Sequence, residues 1–410
     1  MVFKWAAKDT TIPIVELHVA SDWGSLRRMN GYTSPWLGEE HEMFRDVAKR
    51  FFETEMAPHV DGWVEAGLVE RSAWNRLGAA GMLLTDMPGE YGGGGGDFGH
   101  EALVLEAAEG VGLAANMAIA VHSTICAPYI YQFASEAQKK RWLPAMASGD
   151  SVCAIAMTEP GTGSDLQAIK TTAVPEGNGY RINGQKTFIS NGQHADLIIV
   201  VARTGGEGAK GVSLLMVETG EVSGFRRGRN LQKLGSKGAD TSELFFDDVW
   251  VPAENLLGPE PGQGFYQLMN QLPRERLSVG VMAVAAMERA LEITIDYVKN
   301  REAFGQPILS FQNTQFRLAE CKTEAHIARV FVDNCIARLN NGDLDTETAS
   351  MVKWWTSEKQ CEIVDACLQL HGGYGYMWEY PITKMYADAR VQKIYAGSNE
   401  IMKVLIARGL

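Results

Sequence analysis

No stretch of this 410-residue sequence approaches the roughly 18 uninterrupted apolar residues of a membrane helix, so no membrane span is expected. Cysteine is sparse: the six residues stand at 126, 153, 321, 335, 361 and 367 and never form a C-x-x-C pair. That spacing argues against a disulfide frame or a zinc site and fits thiols in a reducing compartment. Several lie inside apolar helical patterns and read as small core residues. Basic residues are outnumbered, 38 against 50 acids, for a net charge of -12. Such a field repels phosphate backbones, and no nucleic-acid partner is expected. The densest basic run, Arg226-Arg227-Gly228-Arg229, stops at neutral Asn230 and reads as a solvated turn between strands. H-E-x-x-H, G-x-S-x-G and the Walker loop are all missing. The eight histidines do not cluster at ligand spacing, so no metal is implied. The first residues mix Lys4, Asp9 and Glu16 with no apolar run, so neither a secretory signal nor an acid-poor transit peptide is visible. The expected location is the bacterial cytoplasm, or a mitochondrial matrix if a leader was removed.

What is present describes an ordinary globular chain, 46% hydrophobic and 21% charged, long enough for two or three domains. Residues 1–35 carry no period and read as an arm. From Glu39, apolar residues recur at helical spacing through Met43, Phe44, Val47, Phe51 and Phe52, and Pro58 closes the run. Further helical stretches follow at Arg71–Gly81, at His100–Glu109 and from Ala114 to Trp142. The character changes near Ser151. Alternation around Asn183-Gly184 signals a hairpin, and Leu197–Val201, Val212–Val217 and Glu243–Val251 are β-rich runs between glycine turns. After Gly264 the period is helical again, in about four helices, with Ser310, Asp345 or Thr346, and Ser398 or Asn399 as candidate caps. The order is α+β: an N-terminal helical domain over 36–152, a β-barrel over 153–264 and a C-terminal four-helix bundle over 265–410.

Gly94-Gly95-Gly96-Asp97-Phe98-Gly99 satisfies G-x-G-x-x-G, but no firm strand precedes it and no acid follows at the required distance, so a loop is the better reading. Two other segments carry more. Ala156-Met157-Thr158-Glu159-Pro160-Gly161-Thr162-Gly163-Ser164-Asp165 is dense in hydroxyls and backbone donors and could lie against a planar cofactor. Gln369-Leu370-His371-Gly372-Gly373-Tyr374-Gly375 has more glycine than a helix C-cap requires.

These two loops resemble the signature segments of the acyl-CoA dehydrogenases. The second continues through Tyr376–Pro381 to Lys384 and Asp388, and Arg301–Pro307 and Tyr395–Glu400 are similar to further family motifs in the expected order. The resemblance runs from about residue 36 to the end and is strongest to the long-chain branch. It implies FAD held between the barrel and the C-terminal bundle, an acyl-CoA substrate, an electron-transfer flavoprotein as acceptor and a homotetramer. By position it implies flavin contacts from Ile155, Ala156, Met157, Thr158, Gly163, Ser164, Phe188, Ile189 and Ser190. It places Arg301, Phe304, Gln312, Ser398, Asn399 and Glu400 near the pyrophosphate, adenosine or ribose. It assigns Gln369, Leu370, His371, Gly372 and Gly373 to the cofactor of an adjacent subunit. Ser164, Tyr266, Pro273, Arg274, Arg276, Ala396 and Gly397 are implied substrate contacts. Ala114, Ala115 and Ala118 are expected beside the acyl tail.

In much of this family the base follows the Tyr that is Tyr395 here, where this chain has Ala396 and no proton acceptor. Glu275, read as lying in the first turn of the long helix, stands where the long-chain and isovaleryl branches carry theirs. The resemblance therefore implies a base moved to Glu275, with the Ala396 backbone N–H kept as an oxyanion donor. The expected reaction is α,β-dehydrogenation of a medium- to long-chain acyl-CoA to the trans-2-enoyl-CoA. The alternatives are a short branched-chain dehydrogenase, an acyl-CoA oxidase, or a non-catalytic DNA-associated or scaffolding homologue.

Overall fold

The computed structural model describes residues 32–112 and 115–410, of which Ser34 to Leu410 form the folded body of the chain. The expectations on the N-terminal arm and on Ala114 fall, but for the arm's last residues, outside the described residues.

The body opens with helices. α1 (Glu39–Phe51) runs through a π-turn and a 3-10 turn holding Pro58 into α2 (Val60–Ala66). α3 (Arg71–Ala79), α4 (Phe98–Gly110), α5 (Asn116–Ile119), α6 (Ala127–Phe133) and α7 (Glu136–Ala147) follow, with a π-helical stretch, Ala120–Cys126, joining α5 to α6. α4 is buried on nearly every face, so its acids need partners. Glu101 accepts from the Thr85 amide at 2.7 Å, and Glu106 from Arg329 at 2.6 Å. The loop read as an accidental dinucleotide motif turns its amides inward: Gly94 and Gly96 donate to the Leu84 and Thr85 carbonyls.

Seven strands then form one curled sheet: β1 (Cys153–Ala156), β2 (Thr172–Glu176), β3 (Gly179–Ser190), β4 (Leu197–Arg203), β5 (Val212–Glu218), β6 (Phe225–Asn230) and β7 (Thr241–Pro252). Their order is β1-β4-β2-β3-β7-β6, with β5 paired to β4. Two expectations are corrected by this sheet. Asn183-Gly184 is no hairpin tip; it lies inside β3 at a bulge, and the β2–β3 turn falls at Gly177, whose φ is +61°. Alternation continues across Asn183-Gly184, and alternation alone does not locate a turn. The basic run 226–229 is not a turn either. It belongs to β6, where Arg226 covers the Phe245 ring at 4.1 Å and Arg229 pairs with Glu243 at 2.9 Å.

The remainder is helical: α8 (Gly264–Asn300), α9 (Gln312–Asn340), α10 (Thr346–Leu370), α11 (Pro381–Ala389) and α12 (Asn399–Ala407), with a small hairpin of β8 (Glu302–Ala303) and β9 (Gln306–Pro307) after α8. The Asp345 carboxylate caps α10 by accepting from the Thr348 amide at 2.7 Å. α11 exceeds the expected helix count; its start is marked by Pro381 at the first helical position, where a missing N–H costs nothing. α8 begins eleven residues before Glu275, with Pro273 inside it. Glu275 is therefore a mid-helix residue, and a first-turn interaction with the helix dipole does not apply to it. At the junction of α4, α8 and α9, Arg329 is buried between Glu106 and Glu288, at 2.6 Å from each, with Asp333 at 3.5 Å. Among the described residues no helix is long and apolar enough to cross a membrane.

Candidate active site

A cavity of about 900 Å³ lies where the N-terminal helices, the sheet and the C-terminal helices meet. Its sheet-side wall is Ile155, Met157, Thr158, Gly163 and Ser164, with Phe188, Ile189 and Ser190 from the end of β3. The loop after β1 is anchored from below. Glu159 accepts from the Lys170 and Thr171 amides at 2.7 and 2.8 Å and from the Lys186 ammonium at 2.9 Å. Burial works against that carboxylate, but Lys186 and the two amides outweigh it and hold it below the usual range. Lys186 also donates to the Met157 carbonyl, and the Thr187 amide to Thr158.

The next residue, Phe188, has φ +60° and is 66% exposed at the cavity. A left-handed backbone is unfavourable for a bulky aromatic and persists only where neighbours impose it. Asn191 helps to impose it: itself at φ +63°, it donates to the carbonyls of Ala118 and Cys153 at 2.9 and 3.1 Å. The result is a flat aromatic face presented beside hydroxyls and loop amides.

The opposite wall comes from α8 and the segment before α12. Glu275, Ser278, Val279 and Met282 line the cavity from α8, and Tyr395, Ala396, Gly397 and Ser398 from the segment. Glu275 is 6% exposed and accepts from the Tyr129 hydroxyl at 2.8 Å. Burial pushes its carboxyl up to about 7, against the opposing pull of Tyr129 and Arg276. Ala396 has φ +55°, and the adjoining Gly397 carbonyl accepts from the fully buried Lys353 at 2.7 Å. Lys353 also donates to Asn399 at 2.9 Å. Burial, then nearby Arg276, lowers its ammonium to about 7.

Sequence reasoning did not single out Tyr129 or Lys353. Both fall inside helical patterns, where a tyrosine reads as core and a lysine as surface. It also passed over Glu109 and Asp388 as cavity-lining acids. Glu109 accepts from Asn116 at 3.2 Å and is pushed up to about 7 by burial. Asp388 accepts from the Ser236 amide and is pushed up to about 6, again by burial.

Other sequence-derived residues lie off this wall. Ala156 faces the core of the sheet, because side chains alternate along β1. Arg301, Phe304, Gln312, Gln369, Leu370, His371, Gly372 and Gly373 do not line the cavity. They belong to a second grouping around the small hairpin and the ends of α8, α9 and α10, where Arg301 covers Tyr374 at 5.6 Å and His371 stacks on Tyr297 at 4.3 Å. Phe304 is 97% exposed there. Arg274 and Arg276, implied as substrate contacts, do not line the cavity either. Arg274 binds Asp86 at 2.5 Å and the Thr124 carbonyl at 3.0 Å, and Arg276 binds Ser350 at 3.2 Å. Tyr266 is exposed, Pro273 sits within α8, Asn399 is buried against Lys353, and Glu400 is exposed at the start of α12. Ala115 and Ala118 are buried in the core, while Met117, Ala120, Val121 and Ile125 take the cavity side.

Two histidines do meet in space despite their separation in sequence. His41 and His100 flank Asp97 at 2.9 and 3.0 Å. The Nδ1 atoms face the Gly38 and Asp97 amides, which leaves His41 Nε2–H to donate to Asp97. This is helix-start hydrogen bonding for α1 and α4.

Profiles of the acyl-CoA dehydrogenase N-terminal, middle and C-terminal domains match residues 38–150, 154–249 and 262–410. The chain is 47% identical over 372 residues to the mitochondrial long-chain specific acyl-CoA dehydrogenase of Sus scrofa, covering 90% of this chain and 86% of the relative. A crystal structure of an acyl-CoA dehydrogenase from Geobacillus kaustophilus superposes with a TM-score of 0.90 at 46% identity, covering 92% of this chain and 99% of that one. A glutaryl-CoA dehydrogenase from Mycobacterium smegmatis, solved in complex with FADH2, superposes at 0.86 with 26% identity, covering 95% of this chain and 96% of that one. With three domain profiles matched in order, and a buried carboxylate facing a loop-lined cavity, the chain belongs to the acyl-CoA dehydrogenase family of oxidoreductases.

Proposed function

We propose that this protein converts a medium- to long-chain fatty acyl-CoA to its trans-2-enoyl-CoA, with Glu275 accepting the α-proton. The observation that carries this reading is a buried carboxylate on the cavity wall, raised toward neutral pH, with the Ala396 segment lining the same cavity. An α-proton is weakly acidic, and its removal needs a positioned base together with stabilisation of the charge that develops on the carbonyl oxygen. Glu275 supplies the base. The Ala396 backbone N–H, oriented by the Lys353 bond to the next carbonyl, supplies a donor to the thioester oxygen. The apolar walls, Val279, Met282, Val121 and Ile125, keep water from the carboxylate.

The residues present fit a flavin. Phe188 offers a flat face, and Thr158, Ser164 and Ser190 offer polar contacts beside an open glycine, Gly163. Bound FAD supplies the acceptor for the hydride that leaves the β-carbon. The second grouping, from Arg301, Phe304 and Gln312 to Gln369–Gly373, suits the cofactor of a neighbouring subunit in a homotetramer. Electrons would pass on to an electron-transfer flavoprotein.

Glu109 and Asp388 are weaker candidates for the base. Glu109 interacts with Asp388 and Arg289, and Asp388 with the Ser236 amide and nearby lysines; neither interacts with Glu275. From Glu275 to Arg289, α8 advances about 21 Å, and both residues line the cavity. That length favours an extended tail over an isovaleryl group. A turnover panel of saturated acyl-CoAs from butyryl to octadecanoyl, plus isovaleryl-CoA, tests this by dye reduction and oxygen uptake. Dodecanoyl or longer substrates should give the best kcat/KM, with little oxygen uptake. A clear preference for isovaleryl-CoA would sink the chain-length reading. Glu275→Gln should lower turnover about 10³-fold with FAD retained, and Glu109→Gln should not.

A further inference from the structure

The geometry points to Tyr129 as the positioning residue of the base, a hydrogen-bond donor that orients Glu275 and leaves one carboxylate oxygen for the substrate. This rests on the reading of Glu275 as the proton acceptor.

The contact joins α6 to α8 and is fully enclosed: Tyr129 is 0% exposed, and its hydroxyl donates to Oε1 of Glu275 at 2.8 Å. Neighbouring contacts set the register of the two segments. Gln271 donates to Gln132 one turn earlier on α8, and Arg274 donates to the Thr124 carbonyl at 3.0 Å. The phenol is thus carried to the carboxylate by backbone already tied on both sides.

A terminal carboxylate torsion is broad and roughly two-fold, so an unrestrained glutamate would present its oxygens in many directions. A donor on Oε1 removes that freedom and turns Oε2 toward the cavity. The bond becomes charge-assisted when Glu275 ionises, so it favours the form that can accept a proton. The groups facing Glu275 are few: Tyr129 and the Cys126 thiol from the α6 side, and Arg276 on its own helix. Burial and Glu275 itself push the phenol well above its ordinary range, so it remains a donor wherever the enzyme works.

The test uses the FAD holoenzyme and the best substrate of the panel, with Tyr129→Phe and with fluorotyrosine at position 129. Initial rates are measured from pH 5.5 to 9, with protiated and α-deuterated acyl-CoA. For Tyr129→Phe, kcat should fall about 10- to 100-fold, the range of one hydrogen bond to a charged group. KM should change little, the rising limb of the pH profile should move about one unit alkaline, and the isotope effect on kcat should grow. Fluorotyrosine, a stronger donor, should move the limb the other way. A Tyr129→Phe enzyme with the parental pH profile and isotope effect would reduce Tyr129 to packing, whatever its rate or melting temperature. If Glu275→Gln abolishes turnover in that same comparison, the base stands and only the positioning role fails. Near-normal turnover in Glu275→Gln would overturn both.

Discussion

The Lys186 ammonium, buried under the cavity's sheet-side wall, lies 2.9 Å from the Glu159 carboxylate at the root of the loop that carries Thr158 and Ser164. Removing one partner of such a pair strands the other charge without water. Lys186→Met should therefore lower stability by about 3–5 kcal/mol and weaken FAD retention more than substrate affinity. The folded Glu159 carboxyl is depressed, so its contribution is present above about pH 4.5 and fades as the pH falls through its folded value. The difference between parent and variant in urea unfolding should shrink on acidification. An equal difference at pH 7.5 and pH 4 would contradict the pairing.

As the proposed base, Glu275 should set the pH dependence of turnover. A base raised to about 7 is protonated below that value, so kcat/KM should rise with pH and level off above about 7. The same shift has the opposite sign for stability. A carboxyl whose folded pKa is raised destabilises progressively as pH climbs from 4.5 toward 7. Glu275→Gln holoenzyme should be more stable than the parent at pH 8, by up to about 3 kcal/mol, and no more stable at pH 4. Calorimetry at the two pH values decides.

Ala396 is proposed to act through its amide, so its side chain should be dispensable. At φ +55°, glycine relieves a steric cost of roughly 1–2 kcal/mol, while a β-branched residue adds to it. Ala396→Gly should keep turnover within a few-fold, and Ala396→Val should lose both stability and activity. A hundredfold loss in the glycine variant would show that the methyl group matters.

Arg329 ties α4, α8 and α9 through Glu106, Glu288 and Asp333. Arg329→Met should cost about 3–5 kcal/mol in denaturant unfolding at pH 8, because several buried acids lose their cation. A variant as stable as the parent at pH 8 would mean that packing alone holds this junction.

Much of the fold is legible in the chain itself. Apolar spacing marks α1, α4, α8 and α10, β-rich runs mark β4, β5 and β7, and Asp345 marks a cap. The loop from Ala156 to Asp165 is legible because it is a local string, and so are Ala396 and Glu275, the two positions on which the proposed change of base rests. Boundaries that depend on distant packing are harder to read. β3 passes through Asn183-Gly184 because β7 pairs along both sides of the bulge. α8 starts before Pro273, at Gly264, where any side chain would collide with the Ser213 backbone of β5.

Residue order by itself determined which segments are helix or strand, and which loops have the donors and small residues a flat cofactor needs. Tertiary structure alone decided which groups share one space. It set Tyr129 on Glu275, Lys353 under the Ala396 segment and Lys186 under Glu159, and it separated the cavity wall from the second grouping at the ends of α8 to α10. The physical reason is that periodicity reports which face of an element avoids water. Which buried polar group meets which partner depends on the register between elements far apart in the chain, and only the packed structure sets that register.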